Sequence, residues 1–71
     1  MEKIIFELSQ DYITLVNILK YEGIISTGGE IIHLIDNNSI TYNGVLESRK
    51  RKKLYSGDVV VVNEEIKIEI K

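Results

Sequence analysis

Cysteine is absent from this 71-residue chain, so neither a disulfide framework nor a thiolate metal site can reinforce the fold. No unbroken apolar run is longer than Val59–Val62, far short of a membrane span. Residues 1–20 lack the charged start, long apolar block and small-residue cleavage site of a secretory signal, so the expected setting is cytoplasmic. There is no internal repeat, low-complexity segment or interdomain linker. What remains to hold the chain together is apolar burial, and 44% hydrophobic residues is ordinary for a globular domain. A chain this short buries only roughly 60% of its unfolded surface, so one domain spanning 1–71, with a small core, is expected.

Positive charge is sparse over most of the chain and concentrated in one place. The net charge is −2, yet Arg49, Lys50, Arg51, Lys52 and Lys53 form an unbroken run of +5. The other 66 residues carry four lysines against eleven acidic residues, a net −7. Net charge governs solubility and nonspecific attraction, whereas a local cluster decides where an anion lands.

The apolar pattern changes period along the chain. Residues 3–8 are rich in β-formers and read as a strand. From Thr14 the spacing becomes helical: Leu15, Ile18 and Leu19 share a face, with Thr14 as N-cap and Gly23 as a left-handed C-terminal cap. Thr27-Gly28-Gly29-Glu30 matches a capping box, in which the Thr hydroxyl and Glu carboxylate each satisfy a backbone donor. Ile31, Leu34 and Ile35 continue that second helix until Asn37-Asn38-Ser39. Each helix is expected to run about nine residues. Ile40-Thr41-Tyr42 then reads as a strand, Asn43-Gly44 as a tight turn and Val45-Leu46 as its return. After the basic run come Leu54-Tyr55, a second turn at Ser56-Gly57-Asp58, and Val59–Val62 as a buried strand. Ile66–Lys71 alternates strictly, with isoleucines toward a core; as an exposed edge it could pair with another copy, a pairing that its lysines discourage. The fold class is α+β: two short helices packed on a small, mainly antiparallel sheet, with extra N- and C-terminal strands.

Catalysis finds little support. The only histidine, His33, sits within the second helix, and its acidic neighbours Glu30 and Asp36 have the spacing of surface contacts rather than of a ligand set. No glycine-rich phosphate motif with its lysine is present. No catalytic residue, metal ligand or cofactor is therefore assigned. Gly28-Gly29 at a helix start would expose backbone amides to a phosphate, but Glu30 competes for those donors, and capping with tight packing explains the glycines better. Five adjacent like charges contribute nothing to folding, so Arg49–Lys53 is either a solvated loop or a phosphate-binding one. Lysine supplies a point charge and arginine a planar fork suited to phosphate. Tyr42 and Tyr55 flank the run, either as packing residues or as platforms for unpaired bases.

In sequence order these pieces resemble the S-four RNA-binding domain, the αL motif. The matching residues are Leu15-Val16-Asn17-Ile18-Leu19-Lys20, the link Gly23 to Gly29, Ile40-Thr41-Tyr42-Asn43-Gly44, the stretch Glu47 to Leu54, and Ser56-Gly57-Asp58-Val59-Val60. The Gly-Gly helix start and Arg-Lys-rich loop resemble the small stand-alone bacterial branch, the YaaA/YbcJ type, more than the ribosomal-protein branch. The resemblance spans Ile13 to Val62 and implies a noncatalytic module for structured RNA, the ribosome or a ribosomal precursor being a candidate partner, with no membrane involved. By position it assigns RNA contact to Thr27, Gly28, Gly29, Asn43, Arg49, Lys50, Arg51, Lys52 and Lys53. This chain departs from the pattern at Gly28, where ribosomal-type members carry arginine, and at Ile32, where the stand-alone type carries lysine. The reading from a different class is a protein-interaction adaptor whose basic loop docks on an acidic partner.

Overall fold

Period-two alternation builds the main sheet. In a strand, successive side chains point to opposite faces, and Ile68 and Ile70 accordingly bury beside Val60 and Val62 of the neighbouring strand. A computed structural model describes residues 1–71. It contains β1 (Glu2–Phe6), β2 (Ile13–Thr14), α1 (Leu15–Tyr21), a 3-10 turn (Gly28–Glu30), α2 (Ile31–Asp36), β3 (Ile40–Tyr42), β4 (Val45–Leu46), β5 (Lys53–Leu54), β6 (Val59–Val62) and β7 (Ile66–Ile70). The large sheet has the order β1-β7-β6-β3-β4, antiparallel except for the parallel β1–β7 pair. β2 and β5 form a separate antiparallel pair, Ile13 opposite Leu54. The expected α+β class with terminal extra strands is what the chain adopts.

The helices cover one face of this sheet. Leu15, Ile18 and Leu19 of α1, with Ile25 and Ile31, meet Ile40, Leu54, Val60, Val62, Ile68 and Ile70 in a single core cluster. Fully burying such aliphatic side chains contributes about 1.5–3 kcal/mol each, set against the entropy of ordering the chain. Both helices end in the same device. After α1, Gly23 takes φ +76, and the N–H groups of Gly23 and Ile24 donate to the carbonyls of Lys20 and Leu19 at 3.1 and 2.9 Å. After α2, Asn38 takes φ 55, and Asn38 and Ser39 donate to Ile35 and Leu34 at 3.0 and 2.9 Å. These are Schellman closures, and Asn is the usual alternative to glycine there.

Several expectations need correcting. The helices are shorter than nine residues, with seven in α1 and six in α2. Neither threonine caps through its side chain. The capping box is half made and shifted: Glu30 Oε2 accepts the Ser26 N–H at 2.7 Å, one residue before Thr27. Gly28 and Gly29 are not needed for packing, since a Cβ at Gly28 would meet only Val16 Cγ2 at an ordinary 3.8 Å and one at Gly29 would meet nothing. β6 is half-buried rather than buried throughout, because only Val60 and Val62 face the core. Finally, β7 is not an edge. β1 pairs along its full length, from Glu2 opposite Ile66 to Phe6 opposite Ile70.

Candidate nucleic-acid interface

The basic run leaves β4 as a loop from Arg49 to Lys52 and ends in β5, where Lys53, expected on the loop, pairs opposite Thr14; two carboxylates set its course. The first belongs to Glu47, the only buried charged residue. Its Oε2 accepts the backbone N–H groups of Ser48 and Arg49 at 3.1 and 2.9 Å, and the Arg49 guanidinium grips both oxygens, Nε to Oε2 at 3.0 Å and Nη2 to Oε1 at 3.2 Å. Hydrogen bonds from the Arg49 side chain hold this carboxyl below its ordinary range, with the backbone donors assisting, although burial works in the opposite sense. This latch holds Ser48 and Arg49, and the chain turns next at Lys50-Arg51, where the Lys52 N–H donates to the Arg49 carbonyl at 3.1 Å.

Asp58 is the second. Its Oδ2 accepts from the Tyr55 N–H at 2.8 Å and the Tyr42 hydroxyl at 3.0 Å, and its Oδ1 from Asn43 Nδ2 at 3.2 Å. Asn43 Oδ1 in turn accepts the Val59 N–H at 2.8 Å. Partial burial pushes the Asp58 carboxyl upward, but these donors and the nearby Lys52 charge outweigh it and hold the group low. Tyr42 responds inversely, its hydroxyl raised by burial first and then by its bond to Asp58. The Asn43-Gly44 turn, with φ of 49 and 88, is thereby locked to the turn at Gly57, φ +97.

Helix α1 fixes the middle of the loop. The first N–H groups of a helix have no partner within it, and here those of Leu15 and Val16 donate to the carbonyls of Lys52 and Lys50, both at 2.9 Å. The loop backbone thus does what the Thr14 hydroxyl does not. Val16 also lies against Gly28, so the first turn of α1 touches both the basic loop and the start of the 3-10 turn. The structure brings these two stretches of the sequence together through α1.

The side chains are then distributed unequally. Lys52 Nζ stands 4.7 Å from the centre of the Tyr42 ring, and Lys53 Nζ 4.8 Å from that of Tyr12. Such contacts contribute about 0.5–1 kcal/mol at exposed sites. Tyr12 and Tyr55 lie with ring centres 6.1 Å apart. Arg49, Arg51, Lys52, Lys53 and Tyr55 line one open depression. Lys50 and Arg51 are exposed and make no ion pair or ring contact within the chain.

The model of the S4 domain family matches residues 6–71. The chain belongs to the S4 domain family. No curated protein matches it. S4 domains are as a family generally associated with RNA binding. The match is longer than the Ile13–Val62 stretch that the residues alone bring to mind, because it takes in β7 and the end of β1.

Within this S4 domain the candidate residues divide by surroundings. Thr27 and Gly29 are exposed at the helix entry, with Gly28 half-buried over Val16. Asn43 is exposed, yet both ends of its side chain are used internally. Ile32 presents an apolar surface, 43% exposed, on α2. No group of three or more His, Cys, Asp or Glu side chains is placed to hold a metal ion, and no helix is long and apolar enough to cross a membrane. Sequence reasoning missed Tyr12, Glu47 and Asp58. Glu47 left a weak signal, an acid two residues ahead of an arginine at the head of a basic run. Asp58 showed only as part of a turn, in keeping with its bond from the Tyr55 N–H three residues back, while its Tyr42 and Asn43 partners come from a distant segment. Tyr12 left no signal, because its ring partners lie far along the chain.

Proposed function

We propose that residues 1–71 form one noncatalytic S4-type domain that binds structured RNA through Arg49–Lys53, with Thr27, Gly28 and Gly29 as a second shoulder of the same surface. The observation that carries this reading is that the loop is held by its backbone while its cations face solvent. Lys50 and Lys52 commit their carbonyls to α1, and Lys50 and Arg51 keep their side chains free. Five adjacent cations repel one another, and although Arg49 pairs with Glu47 and Lys52 and Lys53 rest on tyrosine rings, Lys50 and Arg51 have no such partner in the fold, so a polyanion explains the run better than folding does. A preshaped loop favours a shaped target: an RNA hairpin offers phosphates and 2′-hydroxyls in a fixed A-form array.

Roles follow from the surroundings. Lys50 and Arg51 make the principal phosphate contacts. Lys52 and Lys53, resting on Tyr42 and Tyr12, add positioned charge. Arg49 is divided between Glu47 and the ligand, and Asn43 acts from within by locking the turn that launches the loop. The test is the double variant Lys50→Ala/Arg51→Ala, titrated against a hairpin RNA. The expected result is affinity lowered by about tenfold or more and a salt slope shallower by about 1.4–1.8, with an unchanged melting curve. Undiminished affinity in the folded variant would reject the proposal.

A further inference from the structure

With β7 enclosed, the free edge on that side of the sheet is β1. Its even-numbered residues serve the parallel ladder to β7. Glu2 N–H donates to the Glu65 carbonyl at 2.7 Å, Lys71 N–H donates to the Phe6 carbonyl at 2.8 Å, and Leu8 N–H donates to the Lys71 carbonyl at 3.0 Å. The odd-numbered residues Lys3, Ile5 and Glu7 therefore direct their N–H and C=O groups away from the sheet. Their side chains also share the face opposite the core, where Ile5 is 47% exposed. On the other face Tyr21, 74% exposed, stands edge-on to Phe6 with ring centres 5.2 Å apart.

We propose that β1 pairs antiparallel with β1 of a second copy of this chain, about a two-fold axis through Ile5. The argument is self-complementarity. An isologous contact must match a surface to itself, and a strand does so only if charges placed symmetrically about its centre have opposite sign. Here Lys3 falls opposite the partner's Glu7, Glu7 opposite the partner's Lys3, and Ile5 on itself. Those three residues are also the ones whose backbone groups face outward, so charge register and hydrogen-bond register coincide. Sliding by two residues sets Lys3 against Ile5 and loses both ion pairs.

The intrachain partners permit this. Glu7 makes no ion pair within the chain, and Lys3 pairs with Glu69 at 3.3 Å. Glu69 keeps Lys67 and Lys71 at 3.8 and 3.9 Å when Lys3 turns outward. Charges on an edge strand ordinarily discourage pairing, but on this edge the two-fold converts them into attraction. β1 is also the edge opposite β4, from which the basic loop departs, so no residue of the loop is consumed.

Sedimentation velocity across concentrations up to millimolar tests the pairing. The wild-type chain is expected to reach twice its 8.1 kDa mass. Lys3→Glu and Glu7→Lys, each setting like charges opposite, should each weaken assembly about 10- to 30-fold. Mixed in equal amounts, the two variants should recover it, since every cross-strand pair is then of opposite sign. Amide exchange needs no variant: the N–H groups of Lys3, Ile5 and Glu7 should become protected as concentration rises. A wild-type chain that stays monomeric at millimolar concentration overturns the proposal. So do single variants that assemble as wild type, a mixture no better than its components, or a dimer in which those three amides exchange as in the monomer.

Discussion

Removing the Glu47 carboxylate separates an organised loop from a loose string of charges. The side chain is buried and accepts two backbone N–H groups, from Ser48 and Arg49, besides the Arg49 guanidinium. In Glu47→Ala those donors lose a charged acceptor. Hydrogen bonds to charged groups contribute about 1.5–3 kcal/mol, and water entering the gap recovers part of it, so a loss of about 2 kcal/mol is expected. For a domain of this size that corresponds to about 8–16 °C in Tm. Arg49→Ala should cost much less, because the guanidinium is exposed and solvent screens its pairing. The consequence for RNA is more telling. Glu47→Ala removes a negative charge from a basic surface, and simple electrostatics makes it bind RNA more tightly. If the loop must be preshaped, ordering it on binding offsets that gain, and affinity falls or stays level although the net charge has become more favourable. Thermal melts followed by circular dichroism, with anisotropy titrations at fixed salt, measure both. Tighter RNA binding by a folded Glu47→Ala, or a Tm unchanged from wild type, would refute the latch.

Other outcomes follow from the same geometry. Glu47 and Asp58 both have lowered pKa values in the folded state. Their stabilisation is complete above the unfolded carboxyl values of about 4 and is lost as the pH falls through the folded ones. Stability should therefore decline on acidification below about pH 4, and Glu47→Gln with Asp58→Asn should flatten that limb of a Tm-against-pH curve. Asp58→Ala at neutral pH should destabilise by about 1–3 kcal/mol in urea melts, since Tyr42, Asn43 and the Tyr55 N–H all lose their acceptor. Ile32→Lys replaces an exposed apolar side chain by a cation on α2; it should change stability by no more than about 0.5 kcal/mol. It should also tighten hairpin binding and steepen the salt slope by about 0.7–0.9. A flat response would show that α2 lies outside the RNA footprint.

What could be read from the residues was local. Helical spacing at Leu15, Ile18 and Leu19, strict alternation from Ile66 to Ile70, and the positive-φ residues Gly23, Asn38, Asn43, Gly44 and Gly57 are properties of a few neighbours, and the elements follow them. The left-handed pair Asn63 and Glu64 at the β6–β7 turn escaped notice, since Glu is a poor signal for that conformation. Pairing was less legible. β2 and β5 are two residues each, too short for any period to show, and are defined by Ile13 meeting Leu54. Nothing in the alternation of Ile66–Ile70 tells that β1 covers it, which is why an interior strand reads as an edge. At the candidate site the cations were visible as a run. Their ordering by Glu47, by the Leu15 and Val16 amides and by two tyrosine rings was not, because it depends on which distant segments the fold brings together.

The most direct test of the central claim is an anisotropy titration of the wild-type chain against a hairpin RNA, a single-stranded RNA and a duplex DNA, across a range of salt concentrations. The account predicts tightest binding to the hairpin, with log affinity falling against log salt at a slope on the order of −3 to −4, as expected for a loop neutralising about four to five phosphates. Equal binding to all three would contradict recognition of shape, and no binding to any at low salt would contradict an RNA-binding role for the loop altogether.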